Sequence, residues 1–327
     1  MDDSTIEPIE RDSQDQPLLY SVLSGYFQLE ELEPDDTERL DKFNGIIRDW
    51  FGAKLRWTGT SVFENVQAFD PSDFELISGH ASDLDRWMDS EPADDSAEGL
   101  EFDYNMARAP VDEFEIALHS GSLPGEAAPY SCRFFSVIRP FKYRSGKRMR
   151  AVSMLRITVP DTCPLDEFID RYRALAACLR LRWSNAGLGY SGWERLQYDA
   201  TNRAVYAHAR RHPGYDIGEY FRTIDDWHNA IRTVNWLTIL GPELAKRAAQ
   251  ANPSLKSEPE VTIEPFDANL WIRAGEAPLP GDTNRRQKPR PYVRADQLVR
   301  SVRATQSRSF GDPWDDDTTG AWLRRFE

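Results

Sequence analysis

"YSCRFFSVIRPFKYRSGKRMRAVSMLRITVP" (residues 130–160) contains two runs of roughly alternating apolar residues, 130–141 and 150–160, on either side of a basic turn around Gly146. Alternation is typical of a strand that buries one face, and a short connection joins two such strands in antiparallel order. The same pattern occurs in two earlier runs, residues 100–107 and 114–121. The four runs together predict an antiparallel β-meander.

Amphipathic helices are predicted before and after this meander. One runs from Pro34 to about Trp50, with proline at its start and apolar residues at helical spacing. Another begins at Asp166 and runs to Trp183, and the glycine-rich stretch "NAGLGYSGW" (185–193) is predicted to be the loop that ends it. Further helices are predicted at 200–211, at 216–221, from Pro242 and over 293–306, and further strands at 18–30, 53–60, 233–240 and 261–275. Strands that cluster in this way indicate an α+β fold, with antiparallel β-meanders packed against amphipathic helices.

The chain has 327 residues, of which 40% are hydrophobic, and this is enough for a sizeable core. Residues 1–16 are predicted to be a disordered acidic tail, and residues 306–327 a C-terminal tail. Residues 17–305 are predicted to form a single α+β domain, with a division into two subdomains near 127 or near 200 left open. Apolar runs are too short to span a bilayer and the acidic N-terminus does not resemble a secretory signal, so we expect a cytoplasmic protein.

Charge is distributed unevenly along the chain. Residues 1–126 contain 31 Asp and Glu but only 8 Lys and Arg, a net charge of −23, whereas the remaining residues carry +9, which gives −14 overall. An acidic surface of this kind repels nucleic acid and attracts a basic partner. A solubilising face is the alternative explanation of the same count.

Familiar catalytic patterns are poorly matched. "GLGYSG" (187–192) precedes no Lys-Ser/Thr pair and lacks the spacing of a nucleophile elbow, so neither a nucleotide site nor a serine nucleophile is predicted there. Cys178 lies among alanine and leucine residues of a predicted helix and is expected to be a small core residue. His208 and His212 lack the glutamate of the HExxH pattern, which favours a basic helix face over a metal site. We expect no cofactor and no metal.

The loop "LWIRAGEAPLPGDTN" (270–284) places two carboxylates, Glu276 and Asp282, after a predicted strand. Paired carboxylates can act as a general acid and a general base. However, the glycines and prolines of this loop are the residues that a rigid double turn requires, and Asp282 followed by Asn284 suits capping of such a turn. A structural role is therefore favoured over catalysis.

Three C-terminal stretches contain distinctive motifs. They are a Trp-Leu-Thr-x-Leu-Gly turn in "NWLTILGPEL" (235–244), a glycine- and proline-rich turn in "WIRAGEAPLPGDTN" (271–284) and a Pro-Tyr helix start in "RPYVRADQLVRSVR" (290–303). In this order, the three motifs resemble the type VI immunity family, the TsiV-like proteins. The matching residues are Trp236, Leu237, Thr238, Leu240, Gly241, Ala274, Gly275, Pro278, Gly281, Asp282, Asn284, Pro291 and Tyr292. The chain departs from the family pattern at "AAQANPSL" (248–255), where a Gly-Gly is expected, and in the acidic stretch 64–103.

The resemblance implies a protein without enzymatic activity that binds a toxin of the type VI secretion system and neutralises it in the producing cell. Members of this family are associated with nuclease toxins. A nuclease presents a basic surface to nucleic-acid phosphates, so an acidic face would occupy that surface in place of DNA. The expected partner is therefore a toxin with a basic surface, without direct contact to nucleic acid or membrane. An adaptor or chaperone for a secreted effector, and an enzyme of unidentified type, are the alternatives.

The inhibitory surface is expected in the acidic N-terminal third, chiefly in residues 70–99, because unpaired carboxylates are costly to bury and must face water or a cationic partner. The apolar residues within this stretch are candidate anchors for the partner, and a role in the core is the alternative for each. The candidate partner-binding residues are Asp70, Asp73, Phe74, Glu75, Asp83, Asp85, Trp87, Met88, Asp89 and Glu91.

Overall fold

The structure, a computed structural model, describes residues 6–60, 65–82, 112–138, 152–192, 198–218, 230–305 and 309–327. The strands in these ranges are β1 (Glu10–Arg11), β2 (Pro17–Leu29), β3 (Trp57–Thr60), β4 (Asn65–Ala68), β5 (Asp112–His119), β6 (Ser131–Ile138), β7 (Val152–Pro160), β8 (Leu181–Gly192), β9 (Leu237–Leu240), β10 (Val261–Phe266) and β11 (Asn269–Ala274). They form one 11-stranded sheet in the order β10, β11, β9, β8, β2, β7, β6, β5, β3, β4, and β1 pairs with the start of β2. Every pair in this order is antiparallel.

The predicted meander is confirmed in β5, β6 and β7. Phe134 on β6 pairs with Ile116 on β5 and with Leu155 on β7. All three side chains are fully buried, and they lie on one face because side chains alternate between the faces of a strand. The fourth run of the prediction, residues 100–107, lies outside the described residues.

Seven α-helices lie in the described parts of the chain: α1 (Asp36–Phe51), α2 (Glu75–Ser82), α3 (Leu165–Cys178), α4 (Tyr198–Arg211), α5 (Pro242–Ala251), α6 (Arg290–Val299) and α7 (Asp316–Leu323). Helices α1 and α3 pack on the centre of the sheet, where Phe27 of β2 contacts Phe43 at 5.7 Å and Tyr172 at 5.1 Å between ring centroids. The predicted α+β fold is therefore confirmed. None of the described helices is long and apolar enough to cross a membrane.

The glycine-rich stretch 185–193 is not a loop, as the sequence predicts, but lies mostly in β8, one of the longest strands of the sheet. This strand pairs with β2 from Leu19–Gly192 to Leu29–Leu181. Its glycines are required by packing, because a Cβ at Gly187 would lie 2.3 Å from Asn235 Oδ1 and one at Gly189 would lie 2.3 Å from Ser24 Oγ. Helix α3 accordingly ends at Cys178, five residues before the predicted end.

Both predicted tails contain ordered structure. Strand β1 pairs with β2, and the backbone N–H of Ile9 donates to Leu19 O at 2.8 Å. At the other end, α7 follows residue 305, and the core contains four buried aromatic side chains from this segment: Phe310, Trp314, Trp322 and Phe326. The folded part of the chain therefore extends past both predicted boundaries, because these aromatic side chains are removed from water only by packing on the rest of the core.

Candidate partner-binding surface

Four of the ten candidate partner-binding residues lie in the described part of the chain. Asp70, Asp73, Phe74 and Glu75 follow β4 and lead into α2, partly through a 3₁₀ turn at Pro71–Phe74. The other six, namely Asp83, Asp85, Trp87, Met88, Asp89 and Glu91, lie outside the described residues. The described part of the candidate surface therefore comprises residues 70–76 and helix α1, against which they pack.

Asp70 caps the 3₁₀ turn and remains exposed. The backbone N–H and the hydroxyl of Ser72 both donate to Asp70 Oδ1, at 2.9 Å and 2.6 Å, and Asp73 Oδ2 accepts from Asp70 N at 2.8 Å. The hydrogen bonds from the Ser72 hydroxyl and N–H hold the pKa of the Asp70 carboxyl below its ordinary value. Asp70 therefore stays anionic at neutral pH in a fixed position at the surface.

Asp73 is buried, contrary to the expectation that it faces a partner, and Phe74 is buried as well, which is the core role that the sequence left open for it. The Asp73 carboxylate accepts from Thr58 Oγ1 at 2.5 Å and from Gln67 Nε2 at 3.2 Å, so its burial is compensated by hydrogen bonds from β3 and β4. Phe74 is 0% exposed and belongs to the core. Its backbone carbonyl accepts from Asn44 Nδ2 of α1 at 2.8 Å, which joins the turn to that helix. Both residues hold the segment in place instead of forming its outer surface.

Glu75 and Leu76 are the outward-facing residues of this segment. Leu76 is 42% exposed, one of four large hydrophobic side chains in the described chain with such exposure. Leu76 is not among the residues predicted from the sequence, although the helical spacing contains the signal for its exposure. Phe74, Ile77 and Ala81 recur at core spacing and are buried, and Leu76 lies off that stripe. The apolar residue available to a partner is therefore Leu76 and not Phe74.

Helix α1 lies beside this segment and adds further carboxylates. The Arg48 guanidinium lies 5.6 Å from the Phe74 ring centroid, and α1 exposes Asp41 and Asp49. Within the described residues, neither carboxylate has an ion-pair partner, whereas Glu38 is paired with Lys42 at 2.8 Å. We call the exposed side chains of Asp41, Asp49, Asp70, Glu75 and Leu76 the acidic face.

The 270–284 loop has the structural role that the sequence favours. Gly275 and Gly281 adopt positive φ values of 86° and 65°, and the Asp282 carboxylate accepts from Asn284 N at 2.9 Å. Burial raises the pKa of Asp282, but the Asn284 hydrogen bond and the Arg211 guanidinium more than offset it, so the pKa lies below its ordinary value. Glu276 points to solvent. Asp282 therefore caps a turn, as predicted from the Asp282–Asn284 spacing.

His208 of α4 and His212, which directly follows the helix, both contact protein groups. His208 Nε2 lies 3.0 Å from Glu10 Oε1, and His212 Nδ1 lies 2.9 Å from Gly281 O. Among the described residues, no group of three or more His, Cys, Asp or Glu side chains is placed to hold a metal ion. Burial raises the pKa of the Cys132 thiol to about 12 and that of Cys163 to about 11, so neither is a ready nucleophile at neutral pH.

Comparisons with known proteins agree with this architecture. The Pseudomonas aeruginosa T6SS protein PA0821 has a similar structure, with a TM-score of 0.71 at 18% sequence identity over 96% of this chain and 86% of that chain. At this identity, the likeness shows the fold alone. A comparison with curated proteins finds no match. A family model, TsiV, described as type VI immunity for VRR-NUC, matches residues 48–326. Since this match extends over most of the chain, including β3 to α7, the chain belongs to the TsiV family of type VI immunity proteins.

Proposed function

We propose that this chain neutralises a nuclease effector of the type VI secretion system by placing its acidic face over the basic surface with which the nuclease binds nucleic acid. The family match over residues 48–326 carries the proposal, because that family is described as immunity for VRR-NUC. The mechanism is inferred from the charge of the chain. The first 126 residues carry a net charge of −23, and the described carboxylates Asp41, Asp49, Asp70 and Glu75 face outward.

Charge complementarity supports occlusion of the nucleic-acid surface. A nuclease must attract phosphates with lysine and arginine side chains, and a surface of this kind also attracts an acidic protein. Attraction over distances near the Debye length accelerates encounter of the two proteins. A protein bound there excludes the DNA backbone, because both would occupy the same cationic groups.

An apolar contact is needed beside the charges. Exposed ion pairs contribute little net free energy individually, about 0–1 kcal/mol each. Affinity instead depends on a few desolvated apolar or aromatic anchors surrounded by a polar rim. Leu76 lies directly after Glu75 and is 42% exposed, so it is the candidate anchor within the acidic face. This role would make inhibition a property of surface complementarity, with no catalytic step on this chain.

Binding would take place in the cytoplasm of the producing cell, since that is where the DNA vulnerable to a nuclease lies. Co-expression with a VRR-NUC effector from the same organism tests the proposal directly. We expect the chain to restore growth and to bind the purified nuclease in a stoichiometric complex that no longer cleaves DNA. An adaptor would alter export of the effector without restoring growth, and that outcome would contradict the proposal.

The acidic face is tested by charge reversal. The variant Asp41→Lys, Asp49→Lys, Glu75→Lys leaves the Asp70 cap and the buried Asp73 intact. We expect association with the nuclease to slow by about tenfold or more. The control is Arg285→Glu, Arg286→Glu, Arg290→Glu, which reverses three exposed charges in the basic half of the chain and should leave association nearly unchanged. Equal effects of the two triple variants would show that the acidic face is not the binding surface.

A further inference from the structure

The loop between β5 and β6, residues 120–130, presents an apolar side chain at the surface of the protein. Leu123 is 50% exposed, more than any other large hydrophobic side chain in the described residues. Ser122 and Pro124 on either side are exposed as well, whereas Gly121 and residues 125–128 are buried. Leu123 therefore stands at the tip of a loop whose base is packed into the protein.

The backbone that carries Leu123 is fixed by buried polar groups. The Glu126 carboxylate, 7% exposed, accepts from Ser122 N at 2.6 Å and from Leu123 N at 2.9 Å through the same oxygen, Oε2. On the other side of the loop, His119 Nε2 accepts from Gly125 N at 3.2 Å. Hydrogen bonds to a charged acceptor are about twice as strong as neutral ones. The position of Leu123 is therefore determined before any partner arrives.

The base of the same loop is held by Trp57, the first residue of β3. The Trp57 indole N–H donates to Gly121 O at 3.0 Å. Gly125 adopts a φ of +75°, which glycine adopts without the strain that a side chain would bring. A single exposed leucine is common on protein surfaces and needs no explanation by itself. Leu123 differs in that its loop is held by the buried carboxylate of Glu126, by the buried ring of His119 and by the indole N–H of Trp57.

The loop leaves the sheet at the same end as the segment that carries Asp70. Trp57 of β3 pairs with Ala68 of β4 on one side and with His119 of β5 on the other. The pairing continues one residue further, because Phe69 N donates to Arg56 O and Arg56 N donates to His119 O. Strands two places apart in a sheet are separated by roughly 10 Å. The chain after Ala68 and the chain after His119 therefore emerge side by side.

We infer that the 120–130 loop is a preformed apolar anchor, and that Leu123 inserts into an apolar pocket beside the basic surface of the nuclease effector. This inference rests on the proposed function and names a second contact of the same interface. Charge on the acidic face governs how fast the two proteins meet, whereas a buried apolar anchor governs how slowly they separate. A loop that is already ordered loses little conformational entropy on binding, so the full contact area of Leu123 contributes to affinity.

The two rate constants of binding separate this anchor from the acidic face. Leu123→Ser should raise the dissociation rate of the purified nuclease complex about tenfold or more and leave the association rate within about twofold. Leu123→Met, which keeps the apolar area, should restore slow dissociation. Leu279→Ser is the matched control, since Leu279 is 38% exposed in the basic half, and it should change neither rate.

A second variant tests the fixed loop. Glu126→Gln keeps the side-chain volume but replaces the charged acceptor of the Ser122 and Leu123 N–H groups. We expect faster dissociation than in the native chain, though slower than in Leu123→Ser. If Leu123→Ser dissociates as slowly as the native chain while the acidic-face variant still associates slowly, the anchor is refuted and the proposed function stands. If the native chain does not bind the nuclease at all, both are refuted.

Discussion

Arg180 and Asp36 form a two-pronged ion pair that joins the start of α1 to the start of β8. Arg180 Nε lies 3.0 Å from Asp36 Oδ1, and Arg180 Nη2 lies 2.7 Å from Asp36 Oδ2. Asp36 also accepts from Glu33 N at 2.9 Å, and Arg180 Nη2 donates to Glu31 O at 2.6 Å. The hydrogen bond to Asp36 is the largest cause of a raised pKa of Arg180, so the guanidinium is charged at every accessible pH. The pair holds a helix with acidic residues on its outer side against the central strands.

Arg180→Lys should destabilise the protein by about 1–3 kcal/mol, because an ammonium cannot satisfy both carboxylate oxygens and the Glu31 carbonyl together. Chemical denaturation followed by circular dichroism measures the change. The control Lys42→Arg alters an exposed pair with Glu38 and should change stability by less than about 0.5 kcal/mol. If the two variants are equally stable, the paired contacts of the Arg180 guanidinium with both Asp36 oxygens contribute nothing to the stability of the fold.

The buried pair of Arg232 and Asp216 predicts a larger loss. Both side chains are 0% exposed, and the guanidinium also lies 5.0 Å from the centroid of the Trp322 ring. Asp216→Asn leaves a buried cation without its carboxylate, and we expect a loss of about 3–5 kcal/mol. The control is Asp312→Ala, which removes the exposed carboxylate that lies 3.8 Å from Arg203 Nη2. It should leave the stability of the protein almost unchanged. A stable Asp216→Asn variant would mean that the charge of Arg232 is compensated elsewhere.

Two glycine substitutions should have opposite signs. A Cβ at Gly187 would lie 2.3 Å from Asn235 Oδ1 and 2.8 Å from its Cγ, so Gly187→Ala must displace a buried side chain and should cost about 1–3 kcal/mol. Gly45 lies in α1, and apart from the backbone of its own helix and its two chain neighbours no heavy atom lies within 4 Å of its Cβ position. Gly45→Ala should stabilise the protein by about 0.5–1 kcal/mol, since alanine favours the helix. Thermal unfolding compares the two, and loss of stability in both would contradict the packing described.

The 270–284 loop should affect stability and leave protection against the toxin intact. Asp282→Ala removes the cap of the turn and should cost about 1 kcal/mol, whereas Glu276→Ala should have no effect. Because the folded-state pKa of Asp282 is depressed, its contribution is present above its ordinary pKa and is lost as the pH falls through the lower folded value. The stability difference between native and Asp282→Ala chains should therefore shrink in acid. If Glu276→Ala abolishes protection at an unchanged melting temperature, the structural role of this loop is wrong and a catalytic role is favoured.

Association with the nuclease should slow as salt increases. The Debye length falls from about 10 Å at 0.1 M to about 3 Å at 1 M, which screens attraction between the acidic face and a basic partner. Stopped-flow measurement of the association rate over this range tests the effect. The variant with Lys at positions 41, 49 and 75 should show a much weaker dependence. A flat profile for the native chain would remove electrostatic steering from the mechanism.

The sequence predicts elements whose cause is local and fails where the cause is tertiary. The β5–β7 meander and α1 follow from alternation and helical spacing, which are properties of the segments themselves. The glycine-rich part of β8 is predicted to be a loop because glycine is common in turns and loops, whereas here Asn235 and Ser24 occupy the space that side chains would fill. Phe74 is buried and Leu76 is exposed because they lie on different sides of a helical turn. The many acidic residues around them make this helical spacing hard to recognise in the sequence.

The pairing of β2 has a consequence for synthesis of the protein on the ribosome. Residues 17–29 emerge early, but their partners are residues 152–160 and 181–192, so β2 waits for roughly 160 residues of further translation. At about 5–20 residues per second, this delay is on the order of 8–30 s. Until β7 emerges, β1 is the only described strand that can pair with β2, and it covers only one end of it. A nascent chain therefore cannot complete the centre of its sheet until residue 192 has left the ribosome, and until then the edge of β2 that β8 later covers is open to pairing with another chain.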